Sequence, residues 1–210
     1  MPLSPEIAAI LEPAYGPCIE FGSVCSDMRW QPERGHVPRG FFGAGGDLTE
    51  VELVLVFSEP GDPHDDETHT GLDSAYARAA MGFGSGRDQF HRNVRSILNM
   101  CWPDLRFEEQ MRKTWLTESV LCSAAKEGGS VAVRVSRACG NRYLLQQLAK
   151  FPTALIVALG GKAQRRLRDL GVTTFLAAGA AAPPGCNRKE IQDSWARIPE
   201  ALLRRKQPGA

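Results

Sequence analysis

Long apolar runs are absent from this chain, and so is a large charge of either sign. No stretch approaches the roughly 20 apolar residues that a membrane-spanning helix needs, so no membrane partner is expected. Lysine and arginine number 25 against 24 aspartates and glutamates, a formal net charge of +1. A nucleic-acid function would therefore have to rest on locally clustered positive charge. Met1-Pro2-Leu3-Ser4-Pro5-Glu6 lacks the basic start and apolar core of a secretory signal, which makes the cytoplasm the expected compartment. Structural disulfides are disfavoured there. Cys18, Cys25, Cys101, Cys122, Cys139 and Cys186 then read as buried thiols, metal ligands or both. No internal repeat is present.

What is present suits one compact domain of 210 residues, with 43% hydrophobic and 23% charged content. The organising stretch is Val51-Glu52-Leu53-Val54-Leu55-Val56-Phe57-Ser58-Glu59-Pro60-Gly61. Its β-branched run has the length of a strand buried on both faces and ends in a short turn carrying Glu59 and Pro60. Loops past the carboxyl ends of such strands form the ligand crevice of open α/β sheets. Further strands are expected over Thr114–Cys122, Thr153–Leu159 and Thr173–Ala177. Helices are expected over 3–12, 75–81, after the flexible turn Gly82–Gly86 with Ser85 or Asp88 as the cap, and over 107–113, 135–150, 162–170 and 188–205. The alternation predicts an α/β fold, three layers deep, around a central and mainly parallel sheet of four strands. Residues 1–48 read as an irregular arm packed on the domain, 49–205 as the domain itself and 206–210 as a tail. An unstructured stretch as long as 13–48 needs something to hold it, such as a metal or a partner surface.

The order of motifs resembles the uracil-DNA glycosylase superfamily over roughly residues 50–200, and most closely its iron–sulfur branches. A strand ending in a Gly-x-x-Pro-(Gly or Tyr) turn has its counterpart in Ser58-Glu59-Pro60-Gly61. The Thr-Asn-x-x-Lys-Cys strand corresponds to Thr117-Glu118-Ser119-Val120-Leu121-Cys122. A cysteine opening a helix is Cys139, the strand ending Ala-Leu-Gly is Ala158-Leu159-Gly160, and the His-Pro-Ser-like stretch is Ala182-Pro183-Pro184-Gly185-Cys186-Asn187. The resemblance implies a monofunctional hydrolase of N-glycosidic bonds that acts on a base flipped out of DNA. No lysine lies in the pocket motifs, so strand cleavage is not expected.

The departures bear on the substrate. Glu59 keeps a carboxylate where the most active branch has Asp, in position to orient water or stabilise positive charge on the sugar. Gly61 stands where the thymine-excluding branch has Tyr, which opens the space beside carbon 5 of the pyrimidine. Ser58, Pro60 and Gly61 line the base, and Phe83 is the expected stacking ring, with Phe90 assigned to the core. Glu118 replaces the base-reading Asn. An ionised Glu only accepts, which disfavours O4 of uracil and suits the N4 amino group of cytosine, while a protonated Glu also donates to N3. Burial raises a carboxyl pKa and supplies that protonated form.

Ala182 occupies the position of the family's His, so either the branch works without it or a native His has been replaced. A base pocket reading 5-modified cytosine would suit hypermodified phage DNA, and defence against phage is the setting it implies. The alternatives are uracil-DNA glycosylase activity in base-excision repair and a non-catalytic binder of modified or damaged DNA. An α/β protein that binds nucleotides or nucleosides without DNA is a third, which the near-zero net charge favours.

Cys122 and Cys139 have sixteen residues between them, close to the pair that holds the cluster in the iron–sulfur branches. With Cys18 and Cys25, more widely spaced than the family's Cys-x-x-Cys, they imply a structural [4Fe–4S] cluster, with zinc or free thiols as alternatives. His64, Asp65, Asp66 and His69 read as a solvated acidic loop whose acceptors would suit sugar hydroxyls on a modified base. Lys162, Arg165, Arg166 and Arg168 cluster at a helix start after Gly160-Gly161. Lys162, Arg165, Pro183, Asn187 and Arg188 are the expected DNA contacts. No obligate protein partner is expected.

Overall fold

The computed structural model describes residues 2–206; residues 207–210 of the expected tail lie outside them. A single five-stranded mixed sheet runs through the molecule. Its strands are β1 (Phe42–Gly43), β2 (Leu53–Phe57), β3 (Thr114–Glu118), β4 (Leu155–Leu159) and β5 (Leu176–Ala178). In space they lie in the order β1-β3-β2-β4-β5. The four expected strands pair in parallel, with Phe57 opposite Glu118 and Val56 opposite Ala158. β2 is central because all five of its residues are buried and water is excluded from both faces.

The fifth strand corrects the expectation of four. β1 is two residues long, too short to show a period of two, and lies in the Gly- and Pro-rich arm. It pairs antiparallel with β3, Phe42 against Leu116 and Gly43 against Trp115. Gly43 has φ +117°, and a Cβ there would fall 2.1 Å from the Thr114 carbonyl oxygen. Only glycine lets the arm approach β3 so closely.

The helices are α1 (Pro5–Leu11), α2 (Leu72–Ser85), α3 (Gln89–Cys101), α4 (Phe107–Arg112), α5 (Val133–Cys139), α6 (Leu145–Ala149), α7 (Gly161–Asp169), α8 (Lys189–Asp193) and α9 (Arg197–Lys206). α2, α3 and α9 pack as one set, and α5 packs on α7. A π-helical turn, Gly140–Leu144, joins α5 to α6, so the expected 135–150 helix is a single rod with one widened turn. α3 starts at Asp88, whose side chain accepts from the His91 N–H at 3.0 Å, an N-cap of the expected kind.

The turn expected at Gly82–Gly86 is helix as far as Ser85. α2 continues because Phe83, 1% exposed, is stacked in the core against Phe42. Tertiary packing there outweighs the low helix propensity of two glycines. Gly82 also lets α3 come close, since a Cβ would meet His91 Nε2 at 2.7 Å. α2 ends at Gly86, in the left-handed conformation with φ +63°. The single helix expected over 188–205 is two, α8 and α9, joined by a short 3-10 turn over Ser194–Ala196.

The arm contributes to the core. Ile7, Leu11, Ala14, Met28, Phe41 and Phe42 all belong to the same buried cluster as the sheet residues. It is latched at its far end by polar contacts: Arg29 donates to the Ala125 carbonyl at 3.0 and 2.6 Å and pairs with Asp62 at 2.7 Å. Among the described residues, no helix is long and apolar enough to cross a membrane.

Candidate active site at the carboxyl edge of the sheet

Parallel pairing puts the ends of β2, β3, β4 and β5 on one edge. The first parallel strand in the chain, β2, lies between β3 and β4, so the direction of winding reverses beside it. The crevice of an open α/β sheet falls at that reversal. Glu59 follows β2, Glu118 closes β3, and Gly160-Gly161 leads β4 directly into α7.

Glu59 is buried and spoken for. Its side chain is 5% exposed, Arg166 Nη2 lies 2.5 Å from Oε2, and Lys162 Nζ donates to Oε1. Lys162 and Arg166 are four residues apart on α7, hence on one face. Lys162 also donates to the carbonyls of Gly128 (3.3 Å) and Gly129 (2.7 Å). No lysine lies in the pocket motifs themselves, but the fold brings Lys162, expected at the DNA backbone, from α7 to Glu59. All three of its Nζ contacts are to oxygen acceptors. Arg166, read from sequence as one of a basic cluster at a helix start, is 6% exposed. It donates to the Ser58 carbonyl at 2.7 Å and to Ser119 Oγ at 3.1 Å, and so ties β2, β3 and α7 together.

Glu118 is treated differently. It is 4% exposed, and its Oε2 has no hydrogen-bond partner among the described residues. Burial is the main cause that pushes its carboxyl well above the usual carboxylate range, and the nearby Glu59 charge adds to it. Arg166 and Arg39 pull the other way with less effect. Gly40, with φ +86°, lies directly on the side chain: a Cβ would meet Cγ at 2.6 Å and Oε1 at 2.9 Å. The arm therefore covers one side of this carboxyl and leaves no room for a methyl group.

Arg39, the residue before that glycine, was not singled out in the sequence. It is 8% exposed and donates to Ser123 Oγ (3.0 Å), Gly35 O (3.3 Å) and Gly61 O. Its Nε lies 3.5 Å from Glu67. One buried guanidinium thus joins the arm to the loops after β2 and β3. Burial lowers its pKa from the usual arginine value. Nothing in the irregular sequence around it announces such a role.

Gly61 is exposed, but the space beside it is not empty. A Cβ there would meet Glu127 Oε1 at 2.6 Å, and that oxygen accepts from the Asp62 N–H at 3.1 Å. The acidic loop is largely spent on structure. Asp66 pairs with Arg78 and Arg87, each at 2.8 Å, and Glu67 with His69 at 2.9 Å. The acceptor beside Gly61 is therefore Glu127, and not the Asp66–His69 group. Pro60 is buried, and the Ser58 carbonyl is taken by Arg166 and by Ser119 Oγ at 2.7 Å.

Phe83 cannot stack on a base, because it is packed between Phe42, Phe90 and His91. The half-buried ring is Phe90, edge-on to Phe57 at the end of β2 with centroids 5.0 Å apart. Phe83 is therefore a core ring, and Phe90 is the one of the two left half-buried. Ala182, Pro183, Asn187 and Arg188 are exposed on the loop after β5, and Arg165 is exposed on α7. That loop is fixed to α3 by Asn93, which donates to the Ala181 carbonyl at 2.8 Å, and by Gln89, which donates to Asn187 at 3.1 Å.

Cys18, Cys25, Cys122 and Cys139 are free thiols brought into one electrostatic neighbourhood. Burial raises the Cys122 thiol well above its usual value, and Cys139, Cys25 and Cys18 add to the shift. Cys25 is pushed up to about 11 and Cys139 to about 12, again by burial first. Leu121 N–H points at Cys139 Sγ (3.4 Å) and Tyr143 O–H at Cys18 Sγ (3.0 Å). Cys101 stands apart, raised to about 12 by burial alone. Among the described residues, no group of three or more His, Cys, Asp and Glu is disposed to hold a metal ion. The donor set is nevertheless four soft sulfurs with hydrogen bonds to two of them, a chemistry that suits iron–sulfur ligation.

Neither protein-family models nor curated proteins yield a match to this chain.

Proposed function

We propose that the chain is a monofunctional DNA glycosylase with the three-layer α/β/α architecture of the uracil-DNA glycosylase superfamily, acting on cytosine substituted at carbon 5. The observation that carries this reading is Glu118: a carboxyl 4% exposed, with one oxygen unpartnered, at the carboxyl end of a strand beside the sheet's reversal point. A neutral carboxyl there offers one donor and one acceptor, which is what N3 and the N4 amino group of cytosine ask for. Glu59 supplies the negative charge that an oxocarbenium-like sugar needs. Arg166 holds it in place, and Lys162, part-exposed on α7, would exchange Glu59 for a DNA phosphate.

Among the described residues, what a Cβ at Gly61 would meet is the end of the Glu127 side chain. It can swing aside for a 5-substituent and accept from its hydroxyls. Phe90 is the ring placed to stack on the base. Arg165 and Arg188 are exposed and would meet the backbone, and Asn187, exposed and held by Gln89, lies beside them. Cys18, Cys25, Cys122 and Cys139 would hold an iron–sulfur cluster, whose part would be to fasten the arm.

A second reading, a binder of modified DNA without turnover, is favoured by Ala182 and by the two cations that neutralise Glu59. Base release under single-turnover conditions separates the two. The panel is DNA containing uracil, cytosine, 5-hydroxymethylcytosine and its glucosylated forms. Release from the 5-substituted cytosines and not from uracil is expected. Tight binding without release from any of them supports the binder, and preference for uracil removes the cytosine reading.

A further inference from the structure

We propose that Glu118 is the catalytic acid that protonates the departing base, doing from β3 the work for which the Ala182 position has no side chain. This rests on the glycosylase reading above and adds a chemical role to it. Three observations carry it. The carboxyl sits beside Glu59 at the edge where the strands end. Gly40 covers it on the Oε1 side, while Oε2 has no partner among the described residues. No lysine or arginine among the described residues forms an ion pair with it, whereas Glu59 has two.

The charged groups that face Glu118 are Glu59 from the loop after β2, Arg166 from α7 and Arg39 from the arm. Burial together with the Glu59 charge outweighs the two arginines and raises the Glu118 carboxyl well above its usual range. One carboxyl of the site is ion-paired twice and the other is not, the kind of asymmetry that divides acid and base roles. Ala182 is exposed and has no donor to offer.

The step balances without a further reagent. Glu118 gives its proton to N3 of the cytosine ring. The C1′–N1 bond breaks with its electron pair remaining on the ring, so the base leaves neutral. Water forms the new bond to C1′ beside Glu59, and the proton it loses returns to Glu118 through solvent. One water is consumed and one base released.

The test is single-turnover base release by the full chain and by Glu118→Gln, which keeps the shape and hydrogen-bonding capacity but has no proton to give. On 5-hydroxymethylcytosine the rate should fall by about 100-fold or more. On 5-fluorocytosine, whose ring carries the leaving electron pair more easily, the fall should be much smaller. The unmodified chain should lose rate as pH rises through the Glu118 titration, and Glu118→Gln should not.

Ala182→His should add little to the unmodified chain and restore roughly tenfold or more to Glu118→Gln. Equal losses on both bases with an unchanged pH profile would make Glu118 a binding residue only, overturning the inference and leaving the glycosylase reading intact. A tenfold gain from Ala182→His alone would also overturn it. If Glu118→Gln does not fold, the unmodified chain decides: a rate that shows no decline with rising pH up to the point where the chain itself unfolds rules out the acid. Absence of release from every DNA by the unmodified chain would remove the reading and the inference together.

Discussion

Glu59 and Glu118 lie at one edge of one sheet, equally shielded from water, and the protein treats them in opposite ways. Glu59 forms ion pairs with Arg166 and Lys162, although its Oε2 too lacks a hydrogen bond of good geometry; Glu118, with Oε2 equally without one, forms no ion pair among the described residues. The same contrast recurs further out. Glu67 is buried against His69 and Arg39, whereas Cys122 and Cys139 are buried among other thiols with their pKa values raised. Ionisable groups that the fold has paired act as fasteners. Those it has buried and left unpaired are costly unless something else is to meet them, and they mark the places where a ligand is expected.

The sharpest way to break the contrast is to strip Glu59 of its buried partner. Arg166→Met leaves a carboxylate 5% exposed with only Lys162, and also removes the donor to Ser58. Unfolding in urea should show a loss of about 3–5 kcal/mol. Adding Glu59→Leu should recover most of it, because the stranded charge and not the lost attraction dominates. A loss under about 1 kcal/mol would mean that Glu59 behaves as an exposed pair.

The cysteines allow the next comparison. Cys122→Ser removes one of four neighbouring thiols that bridge the arm and the domain, while Cys101→Ser removes an isolated one. Purified protein should be brown and contain iron and sulfide. Cys122→Ser should lower the thermal midpoint by roughly 4 °C or more beyond Cys101→Ser, and bleach the protein. Colourless, metal-free and fully folded protein, with the two variants indistinguishable, would make all the thiols ordinary core residues.

Glu118 contributes a pH dependence of definite sign. Its folded pKa lies above the unfolded one, so both states are protonated at low pH and nothing is gained or lost there. As pH rises past the unfolded value, the unfolded chain releases its proton first. Stability then declines by up to about 1.4 kcal/mol per pH unit until the folded group titrates. Glu118→Gln should remove that decline, so the variant gains on the unmodified chain as pH rises. Unfolding curves across a pH series that stay parallel for the two proteins would show that Glu118 is already ionised when folded.

How much of this was legible in the sequence depends on whether the signal was periodic or tertiary. The central strand, the alternation of helices with strands and the Asp88 cap follow from runs and spacings that local physics fixes. Lys162 and Arg166 were four apart, so their shared face was readable, but not which acid they would meet. β1 was too short to carry a pattern, and α2 runs through Gly82–Ser85 because Phe83 is buried, which only the packed structure decides. The same burial makes Phe83 a core ring and leaves Phe90 half-buried. Arg39 and Glu127 act through contacts with residues distant in the chain, Ser123 and Gly61 for one and Asp62 for the other, and no spacing encodes those.

The smallest effect concerns Gly61 and Glu127. Gly61 is exposed and the atom a methyl group would strike is a carboxylate oxygen at the end of a movable side chain, 2.6 Å from the Cβ position. Gly61→Ala should therefore turn Glu127 aside and change stability by no more than about 0.5 kcal/mol. The cost should fall on recognition, since Glu127 loses both its Asp62 contact and its place beside the 5-substituent. Release of glucosylated 5-hydroxymethylcytosine should slow relative to unsubstituted cytosine. Gly61→Tyr should exclude the bulky base altogether while leaving cytosine less affected. Glu127→Gln, which keeps an acceptor and loses the charge, should resemble the unmodified chain more than Gly61→Ala does. If both Gly61 variants leave the ratio of substituted to unsubstituted cytosine unchanged, the 5-substituent does not pass Gly61, and the open side of the site lies elsewhere along the edge.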